Sequence, residues 1–212
     1  MNNLYLIGGA ERSGKTTILN KFIKTKPVIA IQTDAIRDSI ERVLFDEMEI
    51  IAPIGSISFS GDVVFKRLVD NFKREDITKH FSKNILEGEL VWSAIVGLIN
   101  HYDNRPVDLI IEGVEVTPER VKGLITKNFL IKPVFVGYTE DTSFDKTIIE
   151  FEKAGFNVDD KKFIKEKHDE HVEKGKGIAM NANKYGYKFF SFDNNNFERY
   201  CSNVLDYLLS EH

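Results

Sequence analysis

The stretch Leu4-Tyr5-Leu6-Ile7-Gly8-Gly9-Ala10-Glu11-Arg12-Ser13-Gly14-Lys15-Thr16-Thr17 decides how the rest of the chain is read. Its first four residues form a short apolar run of strand character. Gly9 to Thr16 then matches the pattern G-x-x-x-x-G-K-[ST] at every fixed position. Beyond it, Ile18, Leu19, Phe22 and Ile23 share one face of a helix. A strand that leads into this pattern and a helix that leads out are the context in which it carries chemistry. The glycines let the backbone curl into a nest whose N–H groups converge on one anion. The following helix adds the positive end of its dipole. Residues Gly9, Ala10, Glu11, Arg12, Ser13, Gly14, Lys15, Thr16 and Thr17 are therefore expected to cradle the phosphates of a nucleotide, with Lys15 on the β- and γ-phosphate oxygens and the Thr16 hydroxyl on Mg²⁺.

Outward from this motif, apolar runs alternate with segments of helical period. Candidate strands are Leu4–Ile7, Val28–Ile31, Val107–Ile111, Pro133–Tyr138 and Tyr187–Phe192. Their apolar character is continuous rather than alternating, which suits strands buried on both faces of a parallel sheet. Thr117-Pro118 reads as a helix start, with proline at the first helical position. Phe197, Tyr200, Cys201, Val204, Leu205, Leu208 and Leu209 mark a C-terminal helix with Cys201 on its core face. The alternation predicts an α/β fold, a three-layer α/β/α sandwich around a five-stranded parallel sheet. Residues 1–212 read as one domain with two additions. Between about 35 and 106 there is helical pattern without a core strand, broken by the loop Ala52–Gly61. From about 141 to 177 the chain is highly charged and reads as a helical lid.

The 212 residues carry 29 Lys and Arg against 33 Asp and Glu, a net charge of -4. That balance argues against a nucleic-acid or anionic-membrane partner recognised through bulk charge. The longest apolar-rich window, Leu90–Ile99, is half the roughly 20 residues a bilayer span needs. Cys201 is the single cysteine, so no internal disulfide forms, as expected in a reducing cytoplasm. A guanine-reading N-K-x-D is absent, since Asn183-Lys184-Tyr185-Gly186 lacks the aspartate, and so is a D-x-x-G switch. An acidic-pair strand end of the remodelling-ATPase type is missing too.

The motif, the acidic residue after the second strand, the helical insertion and the charged late segment resemble the small-molecule kinases of the adenylate-kinase and shikimate-kinase type. The stretch Gly88–Val121, in which a Trp-bearing helix precedes a strand ending Glu112-Gly113, is similar more narrowly to 2-phosphoglycerate-kinase-like proteins. The resemblance implies ATP and Mg²⁺ as cofactors, a small-molecule acceptor, a substrate-binding helical region and a lid over the phosphates. Asp34, just past the second strand, lies where ligands enter an open α/β sheet. It is expected to orient an acceptor hydroxyl or take its proton; a helix N-cap is the alternative. Arg37 would turn its fork to an anionic group of the acceptor, or lie solvated on the helix. Glu112 ends the third strand and is expected to meet Mg²⁺-bound water or substrate, whereas Asp108 sits about 13 Å further from that edge. In the lid, Lys161 and Lys165 share a helix face and are the candidate phosphate contacts; solvated i,i+4 pairing is the alternative. His168 and His171 are spaced for a metal pair but have no third ligand at recognised spacing. The Phe192–Phe197 run follows the last strand, where similar kinases hold adenine, and Asn196 reads as a helix N-cap. Trp92 and Met48 read as packing, and Phe59 and Phe65 as candidate pocket residues. The resulting expectation is transfer of the γ-phosphoryl group of ATP to a small metabolite. A kinase acting on a polynucleotide or protein, and a non-catalytic ATP-binding switch, are the alternatives.

Overall fold

A computed structural model describes residues 1–40, 83–153, 155 and 161–210. The loop Ala52–Gly61, the helical pattern at Val64 to Phe72, and Met48, Phe59 and Phe65 lie outside the described residues. Two compact units are distinguished, Met1–Gln32 with Ile99–His212, and Thr33–Leu98.

The first unit holds all five strands, β1 (Asn2–Gly9), β2 (Ile29–Gln32), β3 (Leu109–Gly113), β4 (Phe129–Gly137) and β5 (Lys188–Ser191). They are parallel and ordered β2-β3-β1-β4-β5. The first strand thus runs down the middle, paired to β3 at Leu4↔Leu109 and to β4 at Leu4↔Ile131. Residues Leu4 to Ile7 and Leu109 to Ile111 are almost completely buried, which is why both strands read as unbroken apolar runs.

One face of the sheet, through Tyr5, Ile7, Ile110, Val134 and Val136, packs on α1 (Lys15–Phe22) and on the C-terminal helix α7 (Phe197–Leu209). Ile18, Leu19 and Phe22 face it from α1; Tyr200, Cys201, Val204 and Leu208 face it from α7. The Tyr5 and Phe22 rings pack tilted, with centroids 4.7 Å apart. The other face receives α6 (Lys161–Lys184) at Gly175. There a Cβ would stand 1.9 Å from the Tyr138 carbonyl oxygen, so only glycine lets the helix approach β4 this closely. The layers are those the alternation of strands and helices implies, and each of the five strands forms within a few residues of its expected position.

Two shorter helices complete this unit. In α4 (Pro118–Lys122) the Thr117 hydroxyl caps the helix by accepting the Arg120 N–H at 3.3 Å. Following β4 comes α5 (Phe144–Lys153), and the 141–177 segment is α5 together with most of α6. In the second unit, residues 33–40 form the helix α2. The long helix α3 (Lys83–Tyr102) contributes to both units and carries Val91, Ile95 and Ile99 as a fully buried stripe at four-residue spacing. Trp92, beside that stripe, is half-buried. Among the described residues no helix is long and apolar enough to cross a membrane.

Candidate functional site

The loop from Gly9 to Gly14 leaves the carboxyl end of the central strand, and its glycines stand where side chains have no room. A Cβ on Gly9 would meet the Val136 carbonyl oxygen at 1.9 Å, and one on Gly14 would meet the Phe197 ring at 2.8 Å. Gly9 (φ 144°) and Gly14 (φ 81°) also take positive backbone angles that other residues resist.

Two carbonyl groups of the loop are held by hydroxyls from elsewhere in the chain. Tyr200 of α7 donates its hydroxyl to the Ser13 carbonyl at 2.8 Å, and Tyr138, just past β4, donates to the Arg12 carbonyl at 3.4 Å. Burial pushes the Tyr200 phenol well above its ordinary pKa, so it stays a donor. The Ala10 N–H bonds to the Val136 carbonyl at 3.2 Å. Inside the loop, the Ser13 hydroxyl and the Lys15 ammonium both donate to the Ala10 carbonyl, at 2.7 and 2.6 Å. Lys15 is buried, its charge folded into the cradle.

Glu112 is buried at the end of β3, in register with Ile7, and its Oε2 accepts the Thr16 hydroxyl at 3.4 Å. This brings together two of the residues singled out from sequence. A hydroxyl and a carboxylate are hard oxygen donors, the kind Mg²⁺ prefers when phosphates and water complete its shell. Among the described residues there is no cluster of three or more His, Cys, Asp or Glu able to hold a metal unaided.

A cavity of roughly 580 Å³ opens beside the cradle, lined by Arg12, Gly14, Lys15, Thr16 and Thr17 from the loop and α1, Lys146 and Ile149 from α5, and Phe192, Asn194 and Phe197 from the segment after β5. Among the described residues of this lining are three cations and no carboxylate, in a chain whose net charge is negative. Ile149, Phe192 and Phe197 give the lining an apolar part. Asn194 is committed to the scaffold: its side-chain oxygen accepts the Ser143 N–H and its NH₂ donates to the Ser143 carbonyl, both at 3.0 Å. The start of α5 is thereby tied to the segment after β5, aided by the Thr142 hydroxyl on the Phe192 carbonyl at 3.0 Å. Asn196 occupies the N-cap position of α7 but makes no side-chain cap bond; Asp193 instead accepts the N–H groups of Asn195 and Asn196. An Asx turn satisfies these donors before the helix begins.

Glu11 points away from this cavity toward α6, pairing with Lys174 at 3.1 Å and lying 3.8 Å from His171 Nδ1. Burial pushes the Glu11 carboxyl up, but its own backbone N–H and Lys174 hold it below the ordinary value. His171 stacks on Tyr138 at 5.1 Å, while the His168 Nδ1 meets the Thr147 hydroxyl at 3.2 Å. Burial drives both imidazoles below their usual pKa. The two histidines serve an aromatic cluster with Tyr138, Phe144 and Phe151. Lys165 pairs with Asp169 one turn along α6 and lies over the Phe144 ring, and Lys161 is exposed at the helix start. Asp34 and Arg37 belong to the second unit, where Arg37 donates to Asp34 at 3.4 Å within α2.

Reading the sequence missed Lys146, Ile149, Tyr138 and Tyr200. Lys146 and Ile149 are three apart on the amphipathic α5, so helical periodicity places them on one face. The tyrosines read only as core residues, because a hydroxyl's partner across 187 residues leaves no local signal.

No family model and no curated relative matches the chain in sequence. Solved structures do. A dephospho-CoA kinase from Campylobacter jejuni aligns with TM-score 0.50 and 12% identity over 97% of this chain and 96% of its own. A shikimate kinase from Bacteroides thetaiotaomicron aligns with TM-score 0.50 and 13% identity over 97% and 98%. At such low identity the likeness is one of fold, and the fold of this chain is the α/β fold of those P-loop kinases.

Proposed function

We propose that the protein is an ATP- and Mg²⁺-dependent phosphotransferase that moves the γ-phosphoryl group to a small hydroxyl- or phosphate-bearing metabolite. The observation that carries this reading is the cavity beside the cradle, whose described lining includes Arg12, Lys15 and Lys146 and no carboxylate. Such a site fits a polyphosphate, and the apolar wall of Ile149, Phe192 and Phe197 fits a base.

ATP supplies the phosphoryl group, and Mg²⁺ supplies counter-charge next to the Thr16 hydroxyl and Glu112. The rest of the work falls to side chains and amides of the chain. The loop N–H groups hold phosphate oxygens, and Lys15 neutralises charge that builds during transfer. Asp34, two residues past β2, is assigned the acceptor's hydroxyl: it orients the oxygen that forms the new bond to phosphorus and takes its proton. Arg37 is assigned an anionic group on the acceptor. Lys161 and Lys165, in the proposed lid, would add charge without a bidentate fork. A cytoplasmic setting belongs to the same proposal, with Cys201 unpaired and buried.

The test is ADP formation from ATP and Mg²⁺ in the presence of pooled hydroxyl and phosphorylated metabolites, with Lys15→Ala alongside. Stimulation by one pool that vanishes in the variant is expected. ATP binding without stimulation by any pool would favour a switch or a macromolecular acceptor. Asp34→Asn should lose about 10²-fold or more in transfer while binding ATP normally; loss of both would make Asp34 structural.

A further inference from the structure

We propose that His171 of α6 is a positioning residue for the phosphate loop, acting through Glu11: a proton taken up by its ring ties the Glu11 carboxylate to α6 and strengthens the loop's hold on the phosphates of a nucleotide. The inference rests on the nucleotide-binding part of the reading above and adds a regulation of the same site.

The first observation is an orphaned nitrogen. His171 is buried, and its Nδ1 has no hydrogen-bond partner among the described residues. Oε2 of Glu11 stands 3.8 Å from it, too far for a hydrogen bond and a small movement from making one. A neutral imidazole has one N–H and one bare nitrogen, whereas the imidazolium donates from both. Protonation therefore gives Nδ1 a hydrogen to offer whichever tautomer came before, and Glu11 is an acceptor within reach.

A second observation is that the helix side of this gap is fixed. Gly175, one turn beyond His171, lies where a Cβ would stand 1.9 Å from the Tyr138 carbonyl oxygen. The His171 ring lies on the Tyr138 ring at 5.1 Å, with 26° between their planes. The Glu11 side chain, by contrast, is half-exposed. Closing the gap thus draws Glu11 toward α6 and leaves the ring in place. Tyr138 reaches the same loop, donating to the Arg12 carbonyl at 3.4 Å.

Charge supplies the third. Glu11 is an anion inside a loop that reads as a cradle for anions. Lys174 already pairs with it at 3.1 Å, and a charged His171 sets a second cation on the same carboxylate. Bound phosphates and the imidazolium then favour each other, and the coupling is reciprocal. Around the ring stand Glu11 and Arg12 from the loop, Glu170 and Lys174 from α6, Tyr138 after β4 and Phe151 of α5. Burial is the strongest influence and holds the imidazole below its ordinary pKa; the two carboxylates favour the proton and the two cations oppose it. Glu11 is itself held below its ordinary value, so it stays charged while His171 titrates. Nucleotide affinity therefore gains as pH falls below about 6.5.

The test measures ADP binding by the full chain from about pH 8 down to about pH 5.5, for the parent, His171→Gln and Glu11→Gln. The comparison cancels the titration of ADP's own phosphates, which all three proteins share. The parent's advantage over His171→Gln should grow about threefold across that range, and Glu11→Gln should lose the same gain. In NMR spectra of the parent, the His171 ring should titrate at higher pH with ADP bound than without it. Parallel pH curves for the parent and His171→Gln, or a ring titration blind to ADP, would overturn the proposal and leave the nucleotide reading in place. A loss of affinity in His171→Gln that is equal at every pH would overturn it too, by making the ring a structural support. Should His171→Gln fail to fold, Glu11→Gln and the parent's ring titration decide. A parent that binds no ADP at any pH would refute the nucleotide reading itself, and this proposal with it.

Discussion

At the amino edge of the sheet, two carboxylates are closed by backbone N–H groups and an ammonium, and at the carboxyl edge three cations share the lining of one cavity. Asp103, buried after α3, accepts the N–H groups of Lys127, Asn128 and Phe129 at 2.8, 2.9 and 3.1 Å and so fixes the entry into β4. Asp108, just before β3, accepts the Asn3 N–H at 2.7 Å and the Lys26 ammonium at 2.6 Å, while Lys26 also reaches the Tyr5 hydroxyl. At the other edge, Lys15 donates to the Ala10 carbonyl, and Arg12 and Lys146 line the same cavity. Carboxylates closed by backbone donors organise the fold; cations gathered in one cavity lining suit an anionic ligand. The two edges therefore answer differently to substitution.

The largest expected effect lies at the carboxyl edge. Lys15→Ala should lower turnover by about 10³-fold while thermal melting stays within a few degrees of the parent. Comparable losses of melting temperature and activity would erase the contrast. Second comes Asp103→Ala, which strips the acceptor from three backbone N–H groups. We expect it to cost roughly 2–3 kcal/mol, hence about 4–12 °C in melting temperature. Its kcat/KM, measured well below the melting point, should match the parent. Third, Lys146→Met should weaken binding of a nucleoside triphosphate by about tenfold, the size of one exposed charge contact, and leave stability unchanged. An unchanged triphosphate affinity would take α5 out of the ligand's reach.

The smallest effect is a dependence on pH. Asp103 and Asp108 are raised by burial, but backbone N–H groups, with Lys26 at Asp108, hold both below the ordinary value. The unfolded chain then binds their protons more readily. The stability they contribute is whole above about pH 4 and is lost as pH falls through their lowered native values. His168 and His171 are lowered mainly by burial. Their contribution is whole above about pH 6.5 and shrinks as pH drops from there toward their native pKa. Melting temperature should thus decline on acidification in two stages. His171→Gln should flatten the upper stage, and an unaltered profile would show that this ring does not set it.

What the sequence made legible follows the same division. The cradle was readable because its chemistry is local: eight consecutive residues, each with a role fixed by spacing. The sheet was readable because doubly covered strands leave unbroken apolar runs such as Leu4–Ile7 and Leu109–Ile111. Glu112 was readable from its place at the end of a strand. Lys146 was hidden among the many other basic residues, and only the packing of α5 brings it to the cavity. Asn194 read as part of an Asn-rich turn, yet its amide clamps Ser143 across 51 residues. Lys165 reads from sequence both as a phosphate contact and as half of a solvated i,i+4 pair, and the structure shows its pairing with Asp169 one turn along the helix.

The support of the Ser13 carbonyl by Tyr200 has a bearing on the order in which this protein acquires its competence. The phenol that supports the loop follows it 187 residues later in the chain, so the loop is synthesised well ahead of its support. A nascent chain that already displays Gly9 to Thr16 still lacks the hydroxyl that holds the loop's carbonyl. The loop is thus written before it is supported, which happens when α7 docks, and a chain cut short before Tyr200 carries the motif without that hydrogen bond.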